Sequence, residues 1–341
     1  MEDFNYTVTN DFTNEYQSDL DLEILFENES GVYQPVVCDE ICLEYSRRNS
    51  PGSLSFSCIT DGQYEIFEGN VVSLKCGGEN LFLGYVFKRT ETSPSKISVL
   101  CYDQLRYLKN KSYLSYTNKK FSDVLKTIAS SYRLNLGTVE DTSHVIAQRI
   151  EEATLFDILG NAQDETESKT GKQFVLYDNY GKLSLQEISS LFVPIMIDET
   201  SASSYSYVTS IDKDVYTRVT VAQNNSYTGQ RDLFVSDDVT QQDSWGVLEY
   251  WQTNETLTSS ELKELSKSLL EQYSQKKKTL SLNNCIGDTR VIGGSSLVVG
   301  IKLNDEILNE IMIVEKVKHK FLSGSHTMDL DLSSVRGDFS I

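Results

Sequence analysis

Histidine and tryptophan are scarce in this 341-residue chain, with three of the first (His144, His319, His326) and two of the second (Trp245, Trp251). A metal centre or a histidine-dependent triad therefore has little to draw on. The six cysteines (Cys38, Cys42, Cys58, Cys76, Cys101, Cys285) include no C-x-x-C pair, which argues against a zinc ribbon or a thioredoxin-type redox site. Scattered thiols in a chain without an export signal read as small buried hydrophobes; Cys38 and Cys42, four apart, share one face if their segment is a strand. Proline is rare, at four residues, and no Pro/Ser-rich tract is present, so domains are expected to meet through short connections. No apolar run reaches about 18 residues, the length of a membrane-spanning helix, and "MEDFNYTVTNDFTNEY" lacks the basic and apolar segments of a signal peptide. No membrane anchor is expected.

Positive charge is also in short supply. Fifty acidic residues face 31 basic ones, a formal charge of −19. Specific nucleic-acid binding, which needs cations to release counterions from phosphate, is disfavoured, and so is docking on an anionic membrane. "CGGENLFLG" carries glycines but no GK[ST] and no following helix, so it is not a phosphate loop. No G-x-S-x-G or HExxH occurs, and no local context singles out two carboxylates at glycosidase spacing. The tripeptide RGD at 336–338 is too short to carry weight. Catalytic, cofactor and metal residues are all read as none.

What the chain does have is alternation. "LDLEILF" alternates, "ENESG" turns, and "VYQPVVCDEICLEYS" continues, with Pro35 marking an edge or bulge. Ser50-Pro51-Gly52 turns the chain before "SLSFSC"; "NVVSLK", "LFLGYVFKR" and "ISVLCY" follow with short turns between them. The pattern changes at 117, where Phe121, Val124, Leu125 and Ile128 take helical spacing. A second helix opens after Thr154, a good N-cap, with Asp157 in its first turn and an apolar stripe of Leu155, Ile158, Leu159 and Ala162. "KQFVLYDNYGKLSLQEI" reads as a hairpin about Asn179-Tyr180-Gly181. Strands return at about 203, interrupted by a helix with Thr258 and Glu261 as a capping box and Leu262, Leu265, Leu269 and Tyr273 on one face. Lys276 to Lys278 are expected at that helix's C-terminal end, where the dipole favours cations.

The fold class is α+β, mainly β. Residues 1–19 form an N-terminal arm, 20–115 a tube-like β-barrel, 116–200 a small α/β domain of helix, helix and hairpin, and 201–341 a second tube-like barrel with a helical insertion at about 255–280. The two strand-rich parts echo each other. "VVSLKCGGENLFLGYVFKRTETSPSKISVLCYD" and "LVVGIKLNDEILNEIMIVEKVKHKFLSGSHTMDLDLS" both run strand, acidic turn, long strand with a basic end, polar turn, strand. A duplicated barrel arranged as a homotrimer presents six similar units around a ring.

Tyrosine, at 19 residues, far exceeds tryptophan. Its apolar face and hydrogen-bonding tip suit both strands and interfaces. Ordinary packing accounts for most of them, and an interface better accounts for those outside the alternation, such as Tyr107. In "ISVLCYDQLRYLKNK", Ile97, Val99 and Cys101 share one face of a strand while Leu100 and Tyr102 take the other, so both faces should be covered. Asp103 is placed to cap a short helix leaving the strand. Interface or interdomain roles are assigned to Asp103, Arg106, Tyr107, Lys109, Tyr113, Trp245 and Trp251. His319 and His326 are expected to face each other across the last hairpin.

Six segments carry a resemblance: "SRRNSPGSLSF", "LFLGYVFKR", "VLCYDQLRYLKNK", "TLFDIL", "TGKQFVLYDNYGKLSL" and "WGVLEYW". From about residue 20 to the C-terminus the chain resembles the XkdQ/YqbQ-like hub proteins of contractile phage tails and phage-tail-like bacteriocins. The resemblance implies a trimeric baseplate centre that adapts a sixfold tail tube to a threefold spike. The partners it implies are the tail tube or a tube-initiator protein, the central spike, a tape-measure protein, and a baseplate wedge or LysM-containing baseplate protein. It implies assembly in the bacterial cytoplasm, then release within the particle. Some members carry cell-wall hydrolase names, yet nothing here resembles a lysozyme-like or NlpC/P60-like module. The alternatives are a hub-associated peptidoglycan hydrolase or cell-wall binder, and a free-standing carbohydrate-binding β-protein.

Overall fold

The computed structural model describes residues 20–29, 31–59, 65–225, 228–255, 257–303 and 307–335. The expected arm at 1–19 and the RGD at 336–338 lie outside the described residues. The chain divides into two compact units. The larger runs up to Ser206 and again over Ser281–Leu332, and the smaller is built on Tyr207–Leu280.

The first strands are β1 (Leu22–Asn28), β2 (Gly31–Tyr33), β3 (Val36–Val37), β4 (Ile41–Ser46), β5 (Ser53–Ile59), β6 (Val71–Cys76), β7 (Glu79–Ser93) and β8 (Lys96–Tyr102). The expected run "VYQPVVCDEICLEYS" is broken into β2, β3 and β4. Pro35 has no N–H to give a ladder, so the chain changes partner there, from β1 for β2 to β5 for β3. A 3-10 helix, Gln104–Lys109, precedes β9 (Lys111–Lys120), α1 (Phe121–Tyr132), β10 (Leu136–Val139), β11 (Val145–Thr154), α2 (Leu155–Thr170), β12 (Phe174–Asp178), β13 (Leu183–Glu187) and β14 (Phe192–Asp198). Then come β15 (Ser204–Ser210), β16 (Arg218–Asn224), β17 (Arg231–Asp237), α3 (Val239–Trp245), β18 (Glu249–Thr253), α4 (Ser259–Tyr273), β19 (Lys277–Ile286), β20 (Ser296–Lys302), β21 (Ile307–Leu322) and β22 (Ser325–Ser334).

One sheet of 14 strands dominates, in the order β15-β19-β22-β21-β4-β5-β8-β7-β6-β1-β2, with β14 on β20, β20 on β21 and β3 on β5. None of the sheets closes among the described residues, so the two expected barrels appear as two strand groups of one open sheet. The groups have the same neighbour order. Reading inward from one edge, β4-β5-β8-β7-β6 corresponds to β15-β19-β22-β21-β20, and the seam between them is an antiparallel pair of β21 with β4. The flanking strands differ in direction: β1 is antiparallel to β6, while β14 is parallel to β20. One core of this sheet gathers Phe26, Leu43, Leu54, Phe56, Leu74, Phe82 and Val99, all almost fully buried. Each such side chain contributes about 1.5–3 kcal/mol relative to exposure.

The α/β part of the larger unit has its own core. Phe121, Val124, Leu125 and Ile128 of α1 and Leu155, Ile158, Leu159 and Ala162 of α2 are buried there, as their spacing predicts. The Oγ1 of Thr154 accepts the Asp157 N–H at 3.1 Å, which fixes the start of α2. Residues 117–120 are strand, not helix. β9 pairs with β11 from Lys111↔Thr154 to Lys120↔Val145, and α1 begins only at Phe121. β12 and β13 form the expected hairpin, with Tyr180 (φ 48) and Gly181 (φ 78) both left-handed at its turn, as a tight hairpin turn requires.

In the smaller unit α4 packs Leu262 and Leu269 against Val219 and Val221 of β16, and Thr258 and Glu261 form the capping box. Lys276 to Lys278 do not decorate the end of α4. The helix stops at Tyr273, Lys277 and Lys278 open β19, and Lys277 pairs with Asp214 at 2.9 Å. The extended pairing partner, not the dipole, places these cations.

His319 and His326 do face each other across the β21–β22 hairpin, with Nδ1 of the first 3.0 Å from Nε2 of the second. His319 Nε2 lies 2.9 Å from the Val291 carbonyl, which can only accept. The Nε2 of His319 therefore carries the proton, and its Nδ1 accepts from His326. Burial pushes both rings down to about 4 from 6.5, and for His326 the neighbouring His319 adds to this. Folded values below the unfolded ones mean a contribution fully present above pH 6.5 and lost as pH falls toward 4. His326→Phe keeps a ring on Phe321 but removes one titrating group and orphans the His319 Nδ1. The expected result is a stability loss of about 1–3 kcal/mol at pH 7 and a shallower decline from pH 6.5 to 4, read by denaturant melts across that range.

Candidate functional site: a buried joint beside an aromatic cluster

The residues assigned to an interface begin where β8 leaves the sheet. Ile97, Val99 and Cys101 are buried on one face of β8, and Leu100 and Tyr102 are half-buried on the other. Asp103 then caps the 3-10 helix. Its Oδ1 accepts the Leu105 N–H at 2.9 Å and its Oδ2 the Gly52 N–H at 2.8 Å. Gly52 has no room for a side chain, since an added Cβ would lie 2.4 Å from that oxygen and 2.8 Å from the Tyr45 ring.

The short helix has two working sides. Leu105 and Leu108 enter the core of the α/β part. Arg106 lies over the Phe87 ring, 5.3 Å from its centroid, and Tyr107 meets Tyr85 and Phe87 at 6.3 and 6.0 Å. Tyr102 meets the same Phe87 at 5.5 Å. Such ring contacts contribute about 0.5–1.5 kcal/mol each beyond their buried area, and the cation over the ring is of similar size. The outer face of β7 and β8 is thus partly covered by the chain's own helix. Lys109 is exposed, Tyr113 on β9 is 63% exposed, and Trp245 and Trp251 lie in the smaller unit, on α3 and β18.

Gln104 supplies a link absent from the sequence-based reading. Its Nε2 donates to the Gly181 carbonyl and, at 3.3 Å, to Asp178 Oδ2; its Oε1 accepts the Asn135 N–H at 2.8 Å. Asp178 Oδ1 accepts the Gly181 N–H. Burial raises the Asp103 carboxyl well above the usual range, with Asp178 adding repulsion, and burial raises Asp178 too. Tyr45, whose hydroxyl donates to the Leu81 carbonyl at 2.6 Å, is pushed up by burial and then by both acids.

Two adjacent arginines make a second link. Arg47 forms a two-point pair with Glu315 of β21 at 2.8 and 2.9 Å, and Arg48 reaches Asp164 and Glu167 of α2. Glu167 also accepts the Phe174 N–H at 3.0 Å. The only trace of this in the sequence is the doublet "SRRNS", with Asn49 left-handed (φ 59) after it. Chemically the constellation is a set of fixed acceptors and donors paired with one another, except that Arg47 Nη1 and Arg48 Nε are buried without a hydrogen-bond partner among the described residues. The cavity beside it, lined by Tyr45, Asp178, Tyr180 and His319 among others, holds about 160 Å³, below the roughly 300 Å³ at which small-molecule sites begin.

A family model described as YQBQ-like matches residues 41–333. The chain belongs to the YQBQ-like family. Within Bacillus subtilis (strain 168), the phage-like element PBSX protein XkdQ is 27% identical over 322 residues, covering 90% of this chain and 96% of that one. Three solved structures share the fold of this YQBQ-like chain. The 43 kDa tail protein of prophage MuSo2 from Shewanella oneidensis aligns at TM-score 0.64 and 13% identity, covering 92% of this chain and 98% of its own. A tail protein from Neisseria meningitidis MC58 aligns at 0.66 and 12%, covering 92% and 96%. The c3393 protein of E. coli, a type VI secretion component with structural similarity to the T4 tail proteins gp27 and gp5, aligns at 0.55 and 9%, covering 93% and 77%.

The joint in this YQBQ-like chain depends on Gln104 more than on any exposed side chain. Gln104→Leu should cost about 1–3 kcal/mol, because Asp178 and the Gly181 carbonyl lose a buried partner and the Asn135 N–H a part-buried one. Hydrogen exchange at Asn135 is expected to quicken, with the midpoint of urea unfolding lowered. Unchanged exchange there would show that the link is idle.

Proposed function

We propose that the chain is the structural hub of a contractile tail baseplate, acting as a homotrimer that joins a sixfold tail tube to a threefold central spike. The observation that carries this reading is the strand order found twice in one open sheet. Three chains with two like groups each offer six like positions to a tube above and three identical chains to a spike below. Family membership and the likeness to phage tail proteins support it. In this reading 20–115 and 201–341 are the tube-like parts and 116–200 is the α/β module between them.

The role is architectural and non-catalytic. Asp103 and its neighbours brace the module against the sheet, while Arg106, Tyr107, Lys109, Tyr113, Trp245 and Trp251 serve interdomain or intersubunit contacts. The partners are the tube or its initiator, the spike, a tape-measure protein and a wedge or LysM-containing baseplate protein. Assembly takes place in the bacterial cytoplasm, before the particle is released.

Light scattering on the full chain tests this. A mass three times 38.6 kDa is expected, and a monomer at every concentration would remove the ring. In the double variant Arg106→Ala/Tyr107→Ala, trimers should dissociate at higher protein concentration than in the parent while the β-sheet signal is retained. Clearing of a cell-wall suspension by the purified chain would replace this reading with that of a hydrolase.

A further inference from the structure

The seam inside the chain is a template for a seam between chains. In β21 the early residues pair with β20, from Ile307↔Lys302 to Ile313↔Ser296. Past the end of β20 the same strand takes β4 as its neighbour, Lys316↔Ser46 through Phe321↔Ile41, antiparallel. The corresponding long strand is β7. Its early residues pair with β6, from Glu79↔Cys76 to Tyr85↔Val71. Setting Tyr85 against Ile313, the last pair in each case, makes Lys88–Ser93 the counterpart of Lys316–Phe321.

Among the described residues no strand takes the counterpart of the β4 position; the loop before β6 bonds β7 at Val86, where the Gly69 N–H donates to its carbonyl at 2.8 Å, and sets the Phe67 ring 5.9 Å from the Arg89 guanidinium. Among the described residues Lys88–Ser93 have strand pairing only toward β8, from Lys88↔Leu100 to Ser93↔Lys96. Lys88, Thr90, Glu91 and Ser93 are exposed. The strand that stands to the second group as β4 stands to the first is β15, and it is the terminal strand of the whole sheet. It is attached to β19, where Ser203 donates its N–H to the Asn283 carbonyl at 3.0 Å and Asn283 Nδ2 reaches Ser204 Oγ at 3.1 Å. Tyr205 and Val208 on it are 46% and 50% exposed.

We infer that Lys88–Ser93 of one copy pairs antiparallel with β15 of the next copy, repeating between chains the β21–β4 pair made within each chain. The contact is heterologous, one patch meeting a different one, so it propagates around a ring and closes when the copies return on themselves. The occupant of each edge is thus a second copy of this chain, and the recognition is main-chain hydrogen bonding of edge strands. This rests on the trimeric hub reading and names the surfaces that would build it.

The test places the photoreactive residue p-benzoylphenylalanine at Tyr205, and separately at Val208, in the full chain. Equal amounts of isotope-labelled and unlabelled protein are mixed, and the particle mass is measured before irradiation. The expected result is a trimer whose mixed-isotope cross-links fall mainly in the peptide containing Lys88–Ser93. A trimer cross-linked from both positions to other segments overturns the edge pairing and leaves the ring standing. Unmodified protein that stays monomeric overturns the ring and this inference with it. If only the Tyr205 variant is monomeric, that side chain is needed at the contact, and Val208 decides the location.

Discussion

The structure of the larger unit turns on a buried carboxylate. Asp103 sits where β8 must stop, and a strand that ends inside a protein leaves backbone donors to be satisfied. It takes the Leu105 N–H of the departing helix and the Gly52 N–H of the turn before β5, so one side chain ends one element and fixes another. Burying a charge beside a second acid is costly, and both groups respond by holding protons more tightly than free aspartate. What offsets the cost is geometry: each carboxylate accepts at least one backbone N–H. An alanine-sized side chain at Gly52 would occupy the space of the carboxylate itself.

From that point the direction of the chain is set, and the α/β part inherits its position on the sheet. Gln104 follows the cap and holds the β12–β13 turn through Gly181 and Asp178. Arg48, just past the end of β4, anchors α2, while its neighbour Arg47 is committed to β21. Two consecutive arginines pointing to different elements need the backbone to turn sharply after them, and the left-handed Asn49 provides the turn. Exposed ion pairs contribute little, but Arg47 is 14% exposed and its pair is bidentate, the geometry in which such pairs matter.

Much of this was legible from pattern alone. Period-two runs located β5 to β8 and β20 to β22, and the 3.6-residue stripes located α1, α2 and α4, because each element buries one face. The cap at Asp103, the Thr154 cap and the His319–His326 pair followed from local rules that need no tertiary knowledge. The alternation does not reveal β9, because "KSYLSYTNKK" has only Tyr116 buried and owes its extended form to β11, whose residues pair with it from Lys120↔Val145 to Lys111↔Thr154. The lysines at 276–278 were misplaced for the same reason: β19 is defined by its neighbours, and the helix preceding it ends early. Gln104 and the arginine doublet carry no signature, since an amide or guanidinium acquires its partners only when distant segments meet. Short strands with polar turns suit a closed barrel and an open sheet alike, so the alternation predicts mainly β structure without fixing closure, and none of the sheets closes among the described residues.

An open sheet is a physical problem as well as a shape. Its edges present unpaired main-chain groups that will accept another strand indiscriminately unless something restrains them. The two edges concerned are polar in different ways: "KRTETS" on β7 carries Lys88, Arg89 and Glu91, while "SYSYVTS" on β15 is built of hydroxyl groups with Tyr205 and Val208 between them. Two copies of the β7 edge paired parallel and in register would set Lys88 against Lys88 and Arg89 against Arg89, like charges directly opposite one another. A charged edge against a hydroxyl-rich one carries no such penalty. The difference in composition thus disfavours parallel, in-register pairing of β7 with a second β7, while the unlike pair, the combination suggested by the duplicated strand order, carries no such opposition of like charges.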